Sequence, residues 1–431
     1  MLVEFSVENF RSFKDKVTFS MLASEVTEHE DTNVTTLDDG TRLLKSAVIY
    51  GANASGKSNL MLAMAYMSDF VYRSYYMQPD EPTKVIPFKL DADCKEKPSK
   101  FEVIFYCDGI KYAYGFAVTN KEVPEEYLYT FKSETDELQM LFSRDATNEK
   151  EYDFPDGEDK GLLENLCQFN ARNKLYLSTA ALLNYKKITN IYNWMCDFTL
   201  QIYNFIQTFN TSYNILRDAA YYDKNADVAK SVPIVNKAIE WVKEIDTGIS
   251  EVTVVQNPDS FDDDFFNNTT MEKYIKLLNN FKTMREIMNS DGSRSKFEFK
   301  FFDDESLGTS NFFTIAIAVA EKMSYGGIIL ADELNAELHV FWTKRIVSFF
   351  HDAKNNPLHS QLIFTTHDTG LLDLDLFRRD QIWFTEKSPD TSATDIFSLY
   401  DFGDKTDVDV KKGYLLGVYG AIPFIRGGSN V

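Results

Sequence analysis

Long apolar runs are missing from this chain, and so is any excess of basic residues. No stretch approaches the roughly 18–20 apolar residues of a membrane-spanning helix, so no membrane partner is expected. The first ten residues, MLVEFSVENF, carry acids where a secretory leader needs a basic and then an apolar run. Cysteine is scarce: Cys94, Cys107, Cys167 and Cys196 are the only four in 431 residues. They form no C-x-x-C pair and no Cys/His cluster, which argues against zinc, and a chain this long needs no disulfide staples. Reduced thiols in a cytoplasmic protein are the expected state. Lys and Arg number 45 against 66 Asp and Glu, a net charge of -21. Such a surface repels the nucleic-acid backbone outside a local basic groove, which leaves nucleic-acid binding undecided. Sustained heptads are absent, which argues against a long coiled-coil arm, and no fixed-period repeat occurs.

The remaining composition, 44% hydrophobic and 26% charged, is that of a folded protein with room for one large domain or several smaller ones. Residues 2–10 alternate apolar and polar positions as a half-buried strand does, and 17–22 read as a second strand of the same sheet. Residues 24–40 read as a loop, 43–50 as a short apolar strand and 57–77 as a helix. Residues 101–118, FEVIFYCDGIKYAYGFAV, are two β-rich runs joined at Asp108-Gly109, a hairpin signal. Their aromatic residues suit sheet packing better than a ligand cage. Helices are expected over 191–209, 232–245 and 271–288, a strand over 252–255 and an Asp/Asn-rich loop over 256–270. The last third returns to α/β: helices over 311–323 and 337–350, strands over 327–331, 361–366, 381–385 and 395–399. Continuous apolar strands of this kind are covered on both faces, as in a parallel sheet. The expected division is 1–84 and 301–431 as two halves of one α/β head, 85–180 as a β-rich lobe and 181–300 as a mainly helical insertion.

The chemistry concentrates in four short stretches. GANASGKSN, residues 51–59, contains G-x-x-x-x-G-K-S between a strand and a helix, the context a phosphate loop requires. Gly51 and Gly56 let the backbone turn its N–H groups toward phosphates, with Asn53, Ala54, Ser55 and Asn59 completing the loop. Lys57 supplies a positive charge, Ser58 a hydroxyl for Mg2+, and the helix dipole favours the anion. ATP and Mg2+ are the expected ligands. In GIILADE, residues 327–333, an apolar strand ends in two carboxylates: Asp332 to hold the metal through water and Glu333 to polarise the attacking water. In QLIFTTHD, residues 361–368, a second strand ends at His367, within reach of a γ-phosphate if the two strands share a crevice. In ESLGTSN, residues 305–311, Ser306 and Gly308 open a helix, which makes an N-cap and also an anion site.

Taken in order with NFRSF at residues 9–13, these stretches resemble the ATPase heads shared by structural-maintenance-of-chromosomes proteins, recombination clamps and overcoming-lysogenization-defect nucleases. Residues 332–339, 361–384 and 414–424 are similar to bacterial abortive-infection ATPases of the RloA/AbiLi type. The resemblance implies an ABC-type P-loop NTPase head with a mixed or parallel sheet, and a homodimer or higher oligomer that sandwiches ATP. Each nucleotide would lie between one phosphate loop and the Ser306–Gly308 signature of another copy. Glu333 would be the catalytic base, His367 the γ-phosphate switch, and Arg11 a phosphate- or adenine-side contact. The signature lacks the fuller serine-glycine-glycine-glutamine of transporters, and Gln78 is the only nearby glutamine for linking metal to β lobe. His339 fits a dimer interface or a plain helix surface. Related nucleases add a Toprim domain; Asp373-Leu-Asp375 and Asp407-Val-Asp409 match its short acidic pattern, but too few residues follow His367 for a normal domain of about 100. The implied partner is a separate effector encoded nearby, such as a Toprim-type nuclease, answering a phage-derived trigger. A DNA-repair clamp and an ATP sensor with little turnover are the competing readings.

Overall fold

The computed structural model describes residues 1–132, 137–197, 199–202, 215, 228–245, 248–254, 281–336, 338–403 and 409–422. The chain forms two compact units. One comprises Met1–Leu200, Gly327–Asp332 and Phe350–Val431, the other Gln201–Gly326 and Glu333–Phe349.

The centre of the first unit is a sheet in which Ile328–Ala331, Gln361–Thr365, Ser46–Gly51, Ile382–Lys387 and Thr394–Ser398 lie side by side in that order. The first four strands run parallel and the last antiparallel. Apolar runs such as IILA and LIF are buried throughout, as expected of a sheet covered on both faces. Parallel alignment brings the C-terminal ends of the phosphate-loop strand, the 328–331 strand and the 361–365 strand to one edge. The 361–365 strand lies between the other two. Buried Gln361 fixes its position by donating to Leu2 O and Leu44 O at 3.1 and 3.0 Å and accepting from Leu2 N at 2.6 Å.

A second, antiparallel sheet of seven strands joins the start of the chain to the β-rich region. Its order is Tyr152–Asp153, Leu138–Asp145, Glu125–Phe131, Ile110–Val118, Ser99–Cys107, Leu2–Glu8 and Val17–Ser20. The hairpin turns at Asp108-Gly109 as expected, both with positive φ. Helix Lys57–Ser74 packs Tyr66 and Phe70 against Phe10, Phe101 and Phe116, with ring centroids 5.1–5.7 Å apart. The aromatic residues of this lobe therefore serve packing.

The stretch 24–40 is more ordered than its polar sequence suggests: it holds the short helix Glu30–Asn33 and the strand Val34–Thr36, which pairs with Arg42–Leu44. Distant partners stabilise it. Buried Asn33 donates to Leu376 O and to Gln381 Oε1 at 3.0 and 2.7 Å.

In the second unit, Ile249–Val254, Phe281–Met288 and Arg294–Lys300 form an antiparallel sheet. The helix expected over 271–288 is corrected here: 281–288 is a strand, and 271–280 lie outside the described residues. Its first residues alternate in burial, Phe281 and Thr283 facing inward, and a turn at Gly292 (φ 79°) returns the chain antiparallel. Pairing with two neighbours overrides a local pattern compatible with either structure. The helix expected over 191–209 ends at Cys196, and Thr199–Ile202 is extended; residues 203–209 and the expected loop at 256–270 lie outside the described residues. Helix Val228–Ile245 packs on helix Leu307–Tyr325. Trp241 stacks on Phe349 at 4.0 Å.

Candidate functional site

The phosphate loop is shaped by its contacts with neighbouring strands. A Cβ on Gly51 would stand 2.4–2.6 Å from Thr385 Oγ1, Thr385 O and Ser55 Oγ. One on Gly56 (φ 120°) would meet the Thr394 side chain at 2.4–2.9 Å. Only glycine fits either place. Ala54 adopts φ 63°, a left-handed conformation that costs a non-glycine residue about 1–2 kcal/mol. Ser55 Oγ and Thr385 Oγ1 are hydrogen-bonded at 2.5 Å. Thr394 Oγ1 donates to Ser55 O at 2.7 Å and lies 2.8 Å from Ser12 Oγ, which accepts from Asn59 Nδ2 at 2.8 Å. The serine of NFRSF thereby ties the N-terminal segment to the first turn of the phosphate-loop helix. Thr385 and Thr394 stand in no motif of the sequence, and Ser12 lies inside NFRSF, where the sequence alone assigned it no role.

Helix Lys57–Ser74 starts inside the loop. The Lys57 side chain is buried and donates to Gly51 O at 2.8 Å and Ala52 O at 3.1 Å, which aims its ammonium across the loop. Asn53, Ala54 and Ser58 are exposed. A cavity of about 440 Å³ opens beside the loop, lined by Gly51, Asn53, Ser55, His367, Glu386 and Ile422 among others. His367, exposed at the end of the 361–365 strand, thus shares one cavity with the phosphate loop.

Asp332 follows the 328–331 strand and is half-buried; Thr365 Oγ1 donates to its Oδ1 at 2.6 Å. Thr365 is fully buried, so this contact holds one carboxylate oxygen in place. Thr365 lies in the FTTHD stretch, where nothing local marks it as the partner of Asp332. The donor types fit magnesium held largely by a nucleotide: Ser58 would offer one hydroxyl and Asp332 one carboxylate. Among the described residues no group of three or more His, Cys, Asp or Glu could hold a metal by itself.

Arg11 does not line the cavity. It adopts φ 51°, its backbone N donates to Ile86 O at 2.9 Å, and its guanidinium lies 5.7 Å from the Phe10 ring centre. Gln78 is exposed and engaged through its backbone with Glu81 and Asn173. Asp373 Oδ1 accepts from Asp375 N at 3.0 Å, an ordinary turn; of the other acidic pair, Asp407 lies outside the described residues.

Four residues discussed from the sequence, Glu333, Ser306, Gly308 and His339, belong to the second unit. Glu333 is exposed with φ 55°, and its carbonyl accepts from Ala336 N at 2.7 Å to start a turn. Ser306 Oγ accepts from Thr309 N at 3.1 Å, so it is the N-cap of helix Leu307–Tyr325; Gly308 lies in the first turn. The preceding Glu305 anchors this start: its nearly buried carboxylate is bridged by Arg285 at 2.5 Å and accepts from Thr283 Oγ1 at 2.6 Å. His339 is exposed, its Nδ1 accepting from Phe341 N at 3.3 Å.

Comparison with known proteins gives one family match: "AAA domain, putative AbiEii toxin, Type IV TA system", over residues 46–373. No curated protein matches the chain. Solved structures with similarity include the SmcHead bound to the C-winged helix domain of ScpA, at 11% identity and TM-score 0.42, covering 92% of this chain and 97% of that one. The SMC head domain from Thermotoga maritima (12%, TM-score 0.38, 92% and 98% covered) and an Smc head domain bound to the C-terminal domain of ScpA derived from Pyrococcus furiosus (13%, 0.38, 92% and 96%) are similar at the same level. No helix among the described residues is long and apolar enough to cross a membrane.

Proposed function

This chain belongs to the AAA-domain family matched over residues 46–373, and from that premise we propose that it is an ATPase whose nucleotide-bound form associates with further copies to control a separate effector in anti-phage defence. The observation that carries the ATPase reading is the shared edge of the parallel sheet. There the phosphate loop with Lys57 and Ser58, the Thr365-held Asp332 and His367 all belong to one unit.

Lys57 and the loop amides would bind the β- and γ-phosphates, and Ser58 and Asp332 would hold magnesium, which would supply charge neutralisation at the phosphates. Glu333 orients and deprotonates the attacking water, and His367 meets the γ-phosphate. Ser306 and Gly308 act on the nucleotide of another copy, with Glu305–Arg285 fixing the helix start that presents them. A separate effector encoded nearby, a nuclease or other toxin, and a phage-derived trigger follow from the resemblance to abortive-infection ATPases.

Phosphate release by purified protein with ATP and magnesium tests the enzyme, with Lys57→Ala and Glu333→Gln as variants. Turnover that depends on both residues supports it; ATP binding without turnover would make the chain a sensor. Gel filtration of Glu333→Gln with ATP tests association, and a monomer there removes it. Phage challenge with and without the neighbouring gene tests defence. Protection that needs neither the neighbour nor Lys57 would end the effector reading, and ATP-promoted, salt-dependent duplex binding would favour a clamp.

A further inference from the structure

The segment 409–422 has no part in the mechanism above, yet its packing begins on the phosphate-loop strand itself. Tyr50, immediately before Gly51, lies 5.7 Å from the Tyr414 ring. Phe384 stacks on both Tyr414 and Tyr419, with centroids 5.7 and 5.6 Å apart and planes within 16°. A Cβ on Gly413 would come within 2.8–3.0 Å of the Tyr419 ring, so glycine is needed for this fit.

After Tyr419 the chain turns through Gly420 (φ 65°) and Ala421 (φ 56°). Left-handed backbone at an alanine persists only where surroundings enforce it, and the enforcing groups are present. Glu386 Oε1 accepts from Ala421 N at 3.2 Å, and Tyr414 OH donates to Ala421 O at 3.3 Å. A Cβ on Gly420 would stand 2.9–3.0 Å from the Glu386 carboxylate oxygens. The turn is thus clasped at a defined place, and there Ala421 and Ile422 line the same cavity as Gly51, Asn53 and His367.

We infer that the Tyr419–Ile422 turn is a wall of the nucleotide site in the same chain, enclosing the terminal phosphate, with Glu386 as its positioning residue. The inference rests on the ATP reading: Lys57 and His367 mark the γ-phosphate side, and the turn lines the cavity that His367 lines. An apolar wall there excludes water from the phosphate and strengthens its attraction to Lys57. A diphosphate does not extend to this wall, so the turn separates ATP from ADP. While its carboxylate accepts from Ala421 N, Glu386 engages the turn; once released, its charge would oppose the phosphates.

The test is equilibrium binding of fluorescent ATP and ADP analogues, with magnesium, to the full chain and its variants. Glu386→Ala is expected to weaken ATP roughly fivefold, the factor of about one net hydrogen bond, with ADP within about twofold of wild type. Glu386→Gln, whose amide oxygen accepts the same N–H, is expected to retain the wild-type ATP/ADP ratio. Ile422→Trp, at a half-buried site outside the sheets, fills the cavity and is expected to weaken ATP selectively even if Glu386→Ala proves unstable. Equal effects on both nucleotides, or none while Lys57→Ala abolishes binding, would place the turn outside the site and leave the ATP reading intact. Wild-type protein that binds neither nucleotide overturns both.

Discussion

Thr365 Oγ1 donates a 2.6 Å hydrogen bond to Asp332 Oδ1, joining the ends of two neighbouring parallel strands. Partners that orient a metal-binding carboxylate affect metal affinity about 10–100-fold when lost. Thr365→Val is therefore expected to raise the magnesium concentration for half-maximal ATP binding about tenfold, while Thr365→Ser stays near wild type. An unchanged magnesium dependence in the valine variant would separate Thr365 from metal binding.

Lys57 and Glu333 are expected to fail in different ways. Lys57→Ala removes the buried ammonium that crosses the loop and should abolish nucleotide binding. Glu333→Gln should keep binding and lower turnover at least about a hundredfold, the range for a lost general base. Binding titrations beside phosphate-release rates distinguish the two; loss of ATP binding in Glu333→Gln would contradict its role.

Two glycines with positive φ separate backbone strain from steric exclusion. At Gly109 (φ 76°) no atom of the described residues lies within 4 Å of where a Cβ would stand, whereas at Gly56 (φ 120°) the Thr394 side chain is 2.4–2.9 Å away. Gly109→Ala should cost about 1 kcal/mol and Gly56→Ala about 2–4 kcal/mol, strain plus overpacking. Denaturant titrations giving equal losses would refute the packing argument.

Acid should destabilise the fold through His351. Burial, with Lys45 and His29 nearby, lowers its pKa from 6.5 to about 3, and its Nε2 is hydrogen-bonded to Ser46 Oγ at 2.8 Å. The native state therefore favours neutral imidazole. This stabilisation is complete above pH 6.5 and is lost as pH falls from 6.5 toward 3. From pH 7 to pH 5 the linkage amounts to about 2 kcal/mol. Thermal melts at both pH values should show a smaller decrease in His351→Leu than in wild type, whatever the variant costs at pH 7.

Arg378 is fully buried and pairs with Asp380 through Nε at 2.9 Å and Nη2 at 2.8 Å, with Glu30 Oε2 at 2.9 Å from Nη1. It ties the 24–33 segment to the 378–381 turn. Arg378→Met leaves the buried Asp380 carboxylate without that partner and should cost about 3–5 kcal/mol. Arg378→Met/Asp380→Asn, which removes the stranded charge, should recover part of it. A double variant no more stable than the single one would show that the charge is not the cause.

The strands and helices around the phosphate loop were legible because their signals are local. IILA, LIF and AVIY are apolar runs too short for helices, and GANASGKSN carries its own turn glycines. The 281–288 strand was not legible: its burial alternates only over its first residues, and its pairing partners decide its form. The order within segment 24–40 was hidden for the same reason, since Asn33 finds its acceptors at Leu376 and Gln381.

GANASGKSN by itself determined the form of the phosphate loop, because backbone turn, lysine and helix start are encoded within nine consecutive residues. Only the tertiary structure decided what surrounds that loop. Thr385 and Thr394 shape it from distant strands and Ser12 from the N-terminal turn, Thr365 holds Asp332, and the Glu386-clasped turn brings Ile422 to its cavity. Each of these contacts joins residues far apart in the chain, and a hydrogen bond of about 3 Å is set by strand order and packing rather than by sequence spacing.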